Sequence, residues 1–299
     1  MHILVTGATG HLGPYVMREL GARGLPTTGW SRGIQPPSAV GTLQTVDVAD
    51  PDDMARTADL QPPTHILHAA ALSAIADCHR DPEAAERINV QGTRHLVSLA
   101  RRLGARLLVV STDLVFGGSQ GHYCEEDVPR PLSVYARTKR RAEEIALGDA
   151  AGLVVRVSWL LGPKLHGPPR FLDEVVARLR SGQRVRLFAD EYRSPLALTT
   201  AASALADLLL GSTTGLLHLG GRERLSRWEM GVRLAQHLGV PTDLVEAGSQ
   251  AEVAAPEPRP ADVSLDSSRW RQLYPDHPWP DFATSLKEVL PPSLTTERS

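Results

Sequence analysis

Two short motifs hold residues whose types and spacing can do chemistry. Gly7-Ala-Thr9-Gly10-His11-Leu12-Gly13 sets three glycines three apart, directly after the apolar run Ile3-Leu4-Val5. Glycine permits a tight turn and close approach of backbone to a pyrophosphate. A helix that opens there offers free N–H groups and a positive dipole end to the phosphate charge. The second motif, Tyr135-Ala-Arg-Thr-Lys139, sets a phenol and an ammonium four apart, on one face of a helix. A free tyrosine titrates near pH ~10, and a nearby ammonium stabilises the phenolate and lowers that value. Such a phenol can give a proton to an oxygen that gains negative charge as hydride reaches its carbon. In this order the motifs point to a nicotinamide-dependent enzyme.

Two further groups complete that chemistry. A hydroxyl should polarise the same carbonyl oxygen, and Ser111 and Thr112 both stand at the end of an apolar strand where the ligand belongs; the strand alone does not choose between them. The second strand end should select the cofactor ribose. An acidic residue about 20 positions beyond the glycines would favour NAD. This chain has no Asp or Glu between Glu19 and Asp47, and the strand ends in Trp30-Ser31-Arg32. Ser31 and the Arg32 guanidinium suit a 2′-phosphate, so NADP(H) is expected, with NAD(H) as the alternative.

The elements that must position these groups are legible as alternating apolar runs and helical patterns. Strands are expected at Ile3–Thr6, Thr27–Trp30, Leu43–Val46, His65–His68, Arg106–Ser111 and Leu153–Ser158. Helices are expected at Leu12–Arg23, Ala84–Leu103 and Val134–Leu147, the last stopping at Gly148. This order predicts an α/β fold, a doubly wound parallel (Rossmann) sheet with a smaller C-terminal substrate-binding lobe. Residues 1–162 form the expected dinucleotide-binding domain. Residues 163–299 form the lobe, with a segment near 190–225 returning to the sheet. Within the lobe the pattern gives a helix at Phe171–Arg180, a strand at Arg184–Phe188, a helix capped by Thr199 or Thr200 and running to Leu210, and a strand at Leu216–Leu219. The capping box Ser226-Arg-Trp-Glu229 opens a helix ending at Gly239. A last helix begins near Asp281, and the tail Pro291–Ser299 is expected to fray.

Composition narrows the partners. Lys plus Arg is 32 against 34 for Asp plus Glu, a net charge of −2, and no basic stripe argues for nucleic acid or an anionic membrane. No apolar run approaches a membrane span, and the N-terminal apolar run breaks at Thr6-Gly7, so no leader is expected. Cys78 and Cys124 lack C-x-x-C spacing and read as free thiols in a reducing compartment. A cytoplasmic protein is the resulting expectation. His65 and His68 sit on opposite faces of a strand and read as core or sheet-edge residues, so no metal is expected. Glu125-Glu126-Asp127 reads as a solvated loop face. Arg178, Arg180, Arg184 and Arg186 read as solvated charges, or more sharply as a diphosphate contact.

The residues resemble a known family. In order along the chain come Gly7–Gly13, His68-Ala69-Ala70-Ala71, Asn89-Val-Gln-Gly-Thr93, Ser111-Thr-Asp-Leu-Val-Phe116, Tyr135–Lys139, Arg156-Val-Ser158-Trp159 and Arg259-Pro-Ala-Asp-Val-Ser-Leu-Asp266. This series resembles the extended short-chain dehydrogenase/reductases, and within them the dTDP-4-dehydrorhamnose reductases. The resemblance implies a Thr112, Tyr135 and Lys139 triad. It implies that Asp47 and Val48 flank the adenine, that Ala69, Ala70 and Ala71 line the cofactor, and that Asn89 organises the active-site helix through water. It places Ser158 beside the nicotinamide, and Trp159, Tyr192, Arg193 and Ser194 toward the nucleotide sugar. The implied reaction is NADP(H)-dependent reduction of a nucleotide-linked 4-keto-6-deoxysugar; a homodimer accords with the superfamily. The chain departs from the family pattern at Leu114, Ser133, Ala136, Leu160, Leu161 and Arg193, which bears on the identity of the sugar. Two other readings stand beside it: a sugar-nucleotide epimerase or dehydratase with retained NAD, and a non-catalytic binding subunit similar to the regulatory subunit of methionine adenosyltransferase.

Overall fold

The computed structural model describes residues 1–33 and 41–290. The chain opens with β1 (Ile3–Thr6), α1 (Gly13–Ala22), β2 (Thr27–Ser31), β3 (Thr42–Thr45), α2 (Pro51–Leu60) and β4 (His65–His68). Then come α3 (Ile75–Arg80), α4 (Pro82–Ala85), a π-helical turn (Glu86–Gln91), α5 (Gly92–Leu103), β5 (Arg106–Thr112), α6 (Val134–Leu147), β6 (Leu153–Val157) and β7 (Leu160–Leu161). The remainder holds α7 (Phe171–Arg180), β8 (Val185–Phe188), β9 (Tyr192–Arg193), β10 (Leu196–Ala197), α8 (Leu198–Leu210), β11 (Gly215–Leu219), β12 (Leu225–Ser226), α9 (Arg227–Leu238), β13 (Val245–Gly248), α10 (Ser268–Leu273) and α11 (Phe282–Val289).

Local chemistry explains where these elements begin. Pro14 sits in the first turn of α1, where its missing N–H costs nothing. Ser133 caps α6 by accepting from Ala136 N–H at 3.2 Å, which fixes the start of the helix that holds Tyr135 and Lys139. Asp50 accepts from Asp52 and Asp53 N–H and opens α2. That helix is absent from the sequence-based expectation, because among its buried residues are only Met54 and Ala58 and its apolar stripe is faint. The expected helix at Ala84–Leu103 is instead α4, the π-helical turn and α5 in succession.

The seven-stranded sheet has the order β11-β6-β5-β4-β1-β2-β3, and the pairs β3–β2, β2–β1, β1–β4 and β4–β5 are all parallel. Read from β3 this is the doubly wound order 3-2-1-4-5-6 with β11 added at the edge. The order reverses between β1 and β4, so the loops after those strands flank the crevice where such sheets bind ligands.

The chain divides into two compact units. The first comprises Met1–Val115, Pro131–Arg156 and Ala202–Leu217; the second comprises Phe116–Arg130, Val157–Ala201 and His218–Ser299. The first unit's core joins Leu4, Trp30, Ile66, Leu96, Leu107 and Val154 across sheet and helices. The second unit's core joins Leu172, Leu179, Leu187, Met230, Leu234 and Leu286. The tail expectation for Pro291–Ser299 lies outside the described residues.

The capping box is present as expected: Ser226 Oγ accepts from Glu229 N–H at 3.1 Å and Glu229 Oε2 accepts from Ser226 N–H at 2.7 Å. Ser226→Ala should lower stability by about 1 kcal/mol in chemical denaturation, the usual contribution of such a cap.

Candidate active site

The glycine loop is built so that side chains cannot enter it. Gly7 has φ 71°, and a Cβ there would lie 2.7 Å from Ala70 N and 2.8 Å from the Ala69 carbonyl carbon. A Cβ on Gly13 would overlap Gly7 O. Gly10 N–H donates to Gly7 O at 2.9 Å, which closes the turn. His11 and Leu12 lead into α1, Leu12 buried. The small residues Ala69, Ala70 and Ala71 follow β4 and are half-buried, with Ala69 N–H on Thr6 O and Ala70 N–H on Thr6 Oγ1. The loops after β1 and β4 therefore lie against each other, both lined by backbone.

The end of β2 lies beside this loop. Thr9 Oγ1 and Ser31 Oγ are 2.8 Å apart, Gly33 N–H donates to Ser31 Oγ at 3.2 Å, and Arg32 is exposed. Asp47 is half-buried with Oδ1 accepting from Ala49 N–H; Val48 is buried, and a Cβ on Gly92 would meet its Cγ2 at 3.0 Å.

Helix α6 carries Tyr135 and Lys139 and strand β5 carries Thr112, all within the first unit. Lys139 is fully buried, and its Nζ donates to Val110 O on β5 at 2.8 Å. Burial pushes its ammonium down to about 8, and the Glu143 carboxylate one turn along opposes that shift. Tyr135 lies one turn before Lys139 and is partly exposed. Thr112, the last residue of β5, donates to Asp113 Oδ1 and accepts from Leu114 N–H, each at 3.2 Å. The neighbouring Ser111 donates to Glu143 Oε1 at 2.6 Å. The hydroxyl of Ser111, the alternative to Thr112 for polarising the carbonyl and a candidate cofactor contact, is thus engaged with Glu143 in the core.

Glu143, which the sequence reading did not single out, pairs with Arg156, the residue that opens the Arg156–Trp159 motif. Arg156 Nε and Nη2 grip the two oxygens of the Glu143 carboxylate, each at 2.8 Å, and both side chains are buried. The carboxyl is held below its ordinary range despite burial, because Arg156, Ser111 and Arg140 all donate to it. The available signal was the i,i+4 placement of Glu143 after Lys139. Asn89, on the π-helical turn, donates from Nδ2 to Thr138 Oγ1 at 2.9 Å, and Thr138 Oγ1 donates to Tyr135 O at 2.8 Å. It reaches the tyrosine helix directly through these bonds.

The second unit holds the remaining candidates. Ser158 Oγ accepts from Ser194 N–H at 3.0 Å. Trp159 packs edge-on to Phe171, and the Arg227 guanidinium lies over both rings. Arg193 is buried with its guanidinium on Glu191 Oε1 at 3.0 Å, and Arg227 shares that carboxylate at 2.6 Å. Tyr192 is capped by the Arg224 guanidinium, 3.6 Å from its ring centre. In the basic cluster, Arg184 pairs with Glu246 and Arg186 with Glu252. The acidic run is only partly a solvated face: Glu125 is half-buried and accepts from His218 N–H at 2.8 Å, and Asp127 accepts from Cys124 N–H.

Lys139 gives a signed pH dependence. Between about 8 and its ordinary value of 10.5 the unfolded chain binds a proton there that the folded chain does not, so the lysine's contribution to stability rises with pH through that window. Denaturant midpoints of the parent should therefore gain on those of Lys139→Met from pH 8 upward; parallel profiles would contradict the depressed value.

The sequence model of the RmlD substrate binding domain matches residues 1–294. Methionine adenosyltransferase 2 subunit beta of Mus musculus is 29% identical over 308 residues, spanning 99% of this chain and 89% of that protein. The dTDP-4-dehydrorhamnose reductase of Streptomyces griseus is 30% identical over 276 residues, spanning 90% of this chain and 86% of that one. Among solved structures, a hypothetical dTDP-4-dehydrorhamnose reductase from Sulfolobus tokodaii superposes with a TM-score of 0.83 at 30% identity, over 94% of this chain and 98% of that one. A match across nearly the whole length, on a sheet of this order, shows that the chain belongs to the RmlD family of extended short-chain dehydrogenase/reductases.

Proposed function

We propose that this protein reduces the carbonyl of a nucleotide-linked 4-keto-6-deoxysugar with NADPH. Family and fold together make the chain an NAD(P)-dependent oxidoreductase of the extended short-chain type. The observation that supports the reductase reading best is the arrangement on α6 and β5. There a buried cation, Lys139, sits one turn from the partly exposed Tyr135, in the same unit as the glycine loop and Thr112.

The residues fit a dinucleotide. The cradle of Gly7, Gly13, Ala69 and Ala70 leaves backbone where a Cβ would collide, which suits a pyrophosphate pressed against main chain. Gly7, Thr9, Gly10, His11, Leu12 and Gly13 would hold the diphosphate, Ser31 and Arg32 the 2′-phosphate, and Asp47 and Val48 the adenine. When bound, the cofactor supplies the hydride. Tyr135 donates its phenolic proton to the sugar oxygen as negative charge develops there. Lys139, cationic below about pH 8 and one turn from Tyr135, would favour release of the phenolic proton and would hold the ribose of a bound cofactor. Thr112 Oγ1 turns from Asp113 to donate to the same oxygen. Trp159, Tyr192 and Arg193 remain the proposed contacts to the nucleotide sugar; the salt bridge of Arg193 to Glu191 gives it an anchoring part rather than that of a free cation.

NADPH oxidation against a panel of 4-keto sugar nucleotides, with simple ketones and aldehydes as controls, tests the reading. Turnover confined to the sugar nucleotides is expected. Purified protein carrying tightly held NAD and needing no added cofactor would favour an epimerase or dehydratase. Absence of turnover together with capture of a methionine adenosyltransferase catalytic subunit would favour a binding subunit.

Tyr135→Phe should lower kcat by about 10²–10⁴-fold, the usual contribution of a positioned general acid, while the Kd for NADPH stays within about twofold. Arg32→Ala should raise KM for NADPH by about tenfold or more and leave KM for NADH unchanged, since one charge-assisted contact to the 2′-phosphate is lost. An equal effect on both cofactors would remove Arg32 as the selector.

A further inference from the structure

His68 closes β4 and is completely buried in the first unit, with both ring nitrogens bonded. Nδ1 lies 2.7 Å from Thr6 Oγ1, and Nε2 lies 3.1 Å from Thr93 Oγ1. The surrounding bonds fix which nitrogen bears the proton. Thr93 Oγ1 is 2.7 Å from Asn89 O, a carbonyl that only accepts, so the threonine proton points there. Thr93 Oγ1 then receives from the ring, and Nε2 is the protonated nitrogen. Nδ1 bears the lone pair and accepts from Thr6 Oγ1–H, while Thr6 Oγ1 in turn accepts from Ala70 N–H at 3.3 Å.

The bonds form one directed chain. It runs from the Ala70 backbone through Thr6, His68 and Thr93 to the Asn89 carbonyl. The Asn89 side chain continues it, with Oδ1 accepting from Leu72 N–H at 2.8 Å and Nδ2 donating to Thr138 Oγ1, which bonds Tyr135 O. One end is the residue where β1 enters the glycine loop, together with the alanine loop after β4. The other is the first turn of the tyrosine helix.

We infer that His68 is a positioning residue whose neutral Nε2–H ring ties the dinucleotide loops to the helix bearing Tyr135. This rests on the reductase reading above. The ring touches neither reacting atom; it sets the spacing between cofactor cradle and proton donor, where errors of about an ångström can cost on the order of 10² in rate. A protonated ring would present two donors and break the chain at Thr6, whose hydroxyl must then find another acceptor. The surroundings prevent this: burial above all, and the Lys139 cation behind it, hold the imidazole down to about 3. A side chain kept neutral throughout the working range is suited to a fixed joint and unsuited to proton transfer.

The test has two arms. In the full chain labelled with ¹⁵N-histidine, ring ¹⁵N–¹H correlations should show the His68 proton on Nε2, unchanged from about pH 5 to 8, the range where an unshifted histidine titrates. A proton on Nδ1, or titration in that range, overturns the inference. This arm needs no substrate, so it stands even if no keto sugar is turned over and the reductase reading falls. The second arm compares His68→Leu with Thr93→Val below the melting temperature of each. His68→Leu breaks both limbs, so kcat should fall about tenfold and the Kd for NADPH rise severalfold. Thr93→Val cuts only the tyrosine limb, so kcat should fall with Kd for NADPH unchanged. A merely structural histidine predicts lowered melting temperatures with kcat and Kd within twofold of the parent. That outcome for Thr93→Val, which keeps the side-chain shape, overturns the inference even if His68→Leu fails to fold.

Discussion

The buried Glu143–Arg156 pair is the fastening on which the geometry of the first unit depends. Arg156 on β6 presents its planar fork to both carboxylate oxygens at 2.8 Å, and Ser111 on β5 adds a third bond at 2.6 Å. Glu143 stands on α6, so one carboxylate joins the helix to two adjacent strands. One helical turn earlier is Lys139, pinned to Val110 O on the same β5, and one turn before that is Tyr135. Apolar packing alone would hold the helix near the sheet, but it is non-directional. The bidentate pair sets rotation and height. Removing one partner of such a pair leaves a buried charge without compensation, which costs about 3–5 kcal/mol.

The same carboxylate shapes the electrostatics. A lysine without exposure loses much of the hydration that favours its charged form. Lys139 retains its ammonium at neutral pH because it donates to a carbonyl and lies near Glu143. His68, driven neutral above all by complete burial, also faces the same cation without a compensating acid. Two buried bases in one unit thus take opposite states, and the difference follows from what each faces. In the proposed reduction the charged one tunes the phenol and the neutral one holds distances.

Much of the first unit was legible in the sequence because its signals are local. The glycine spacing after β1, the Ser133 cap before α6 and the β-α alternation each rest on neighbours a few residues apart, and α6 begins and ends where its caps and apolar pattern place it. Helix α2 was missed because it buries little, and the π-helical turn has no distinctive composition. The choice between Ser111 and Thr112 was hidden for a different reason: Ser111 is claimed by Glu143, 32 residues away. Arg193 illustrates the same limit, since its salt bridge to Glu191 is shared with Arg227 far along the chain. Sequence pattern reports periodicity and capping; it does not report which polar side chains have already been satisfied by distant partners.

The central claim is that this chain moves a hydride from NADPH to a sugar carbon while Tyr135 supplies a proton. It is tested most directly by following deuterium from NADPH carrying deuterium at both nicotinamide C4 positions into the product of a nucleotide-linked 4-keto-6-deoxysugar. The account predicts one deuterium at sugar C4, with the hydroxyl proton drawn from water through the phenol. Sugar product without deuterium at C4, or full retention of label in the cofactor, would contradict it.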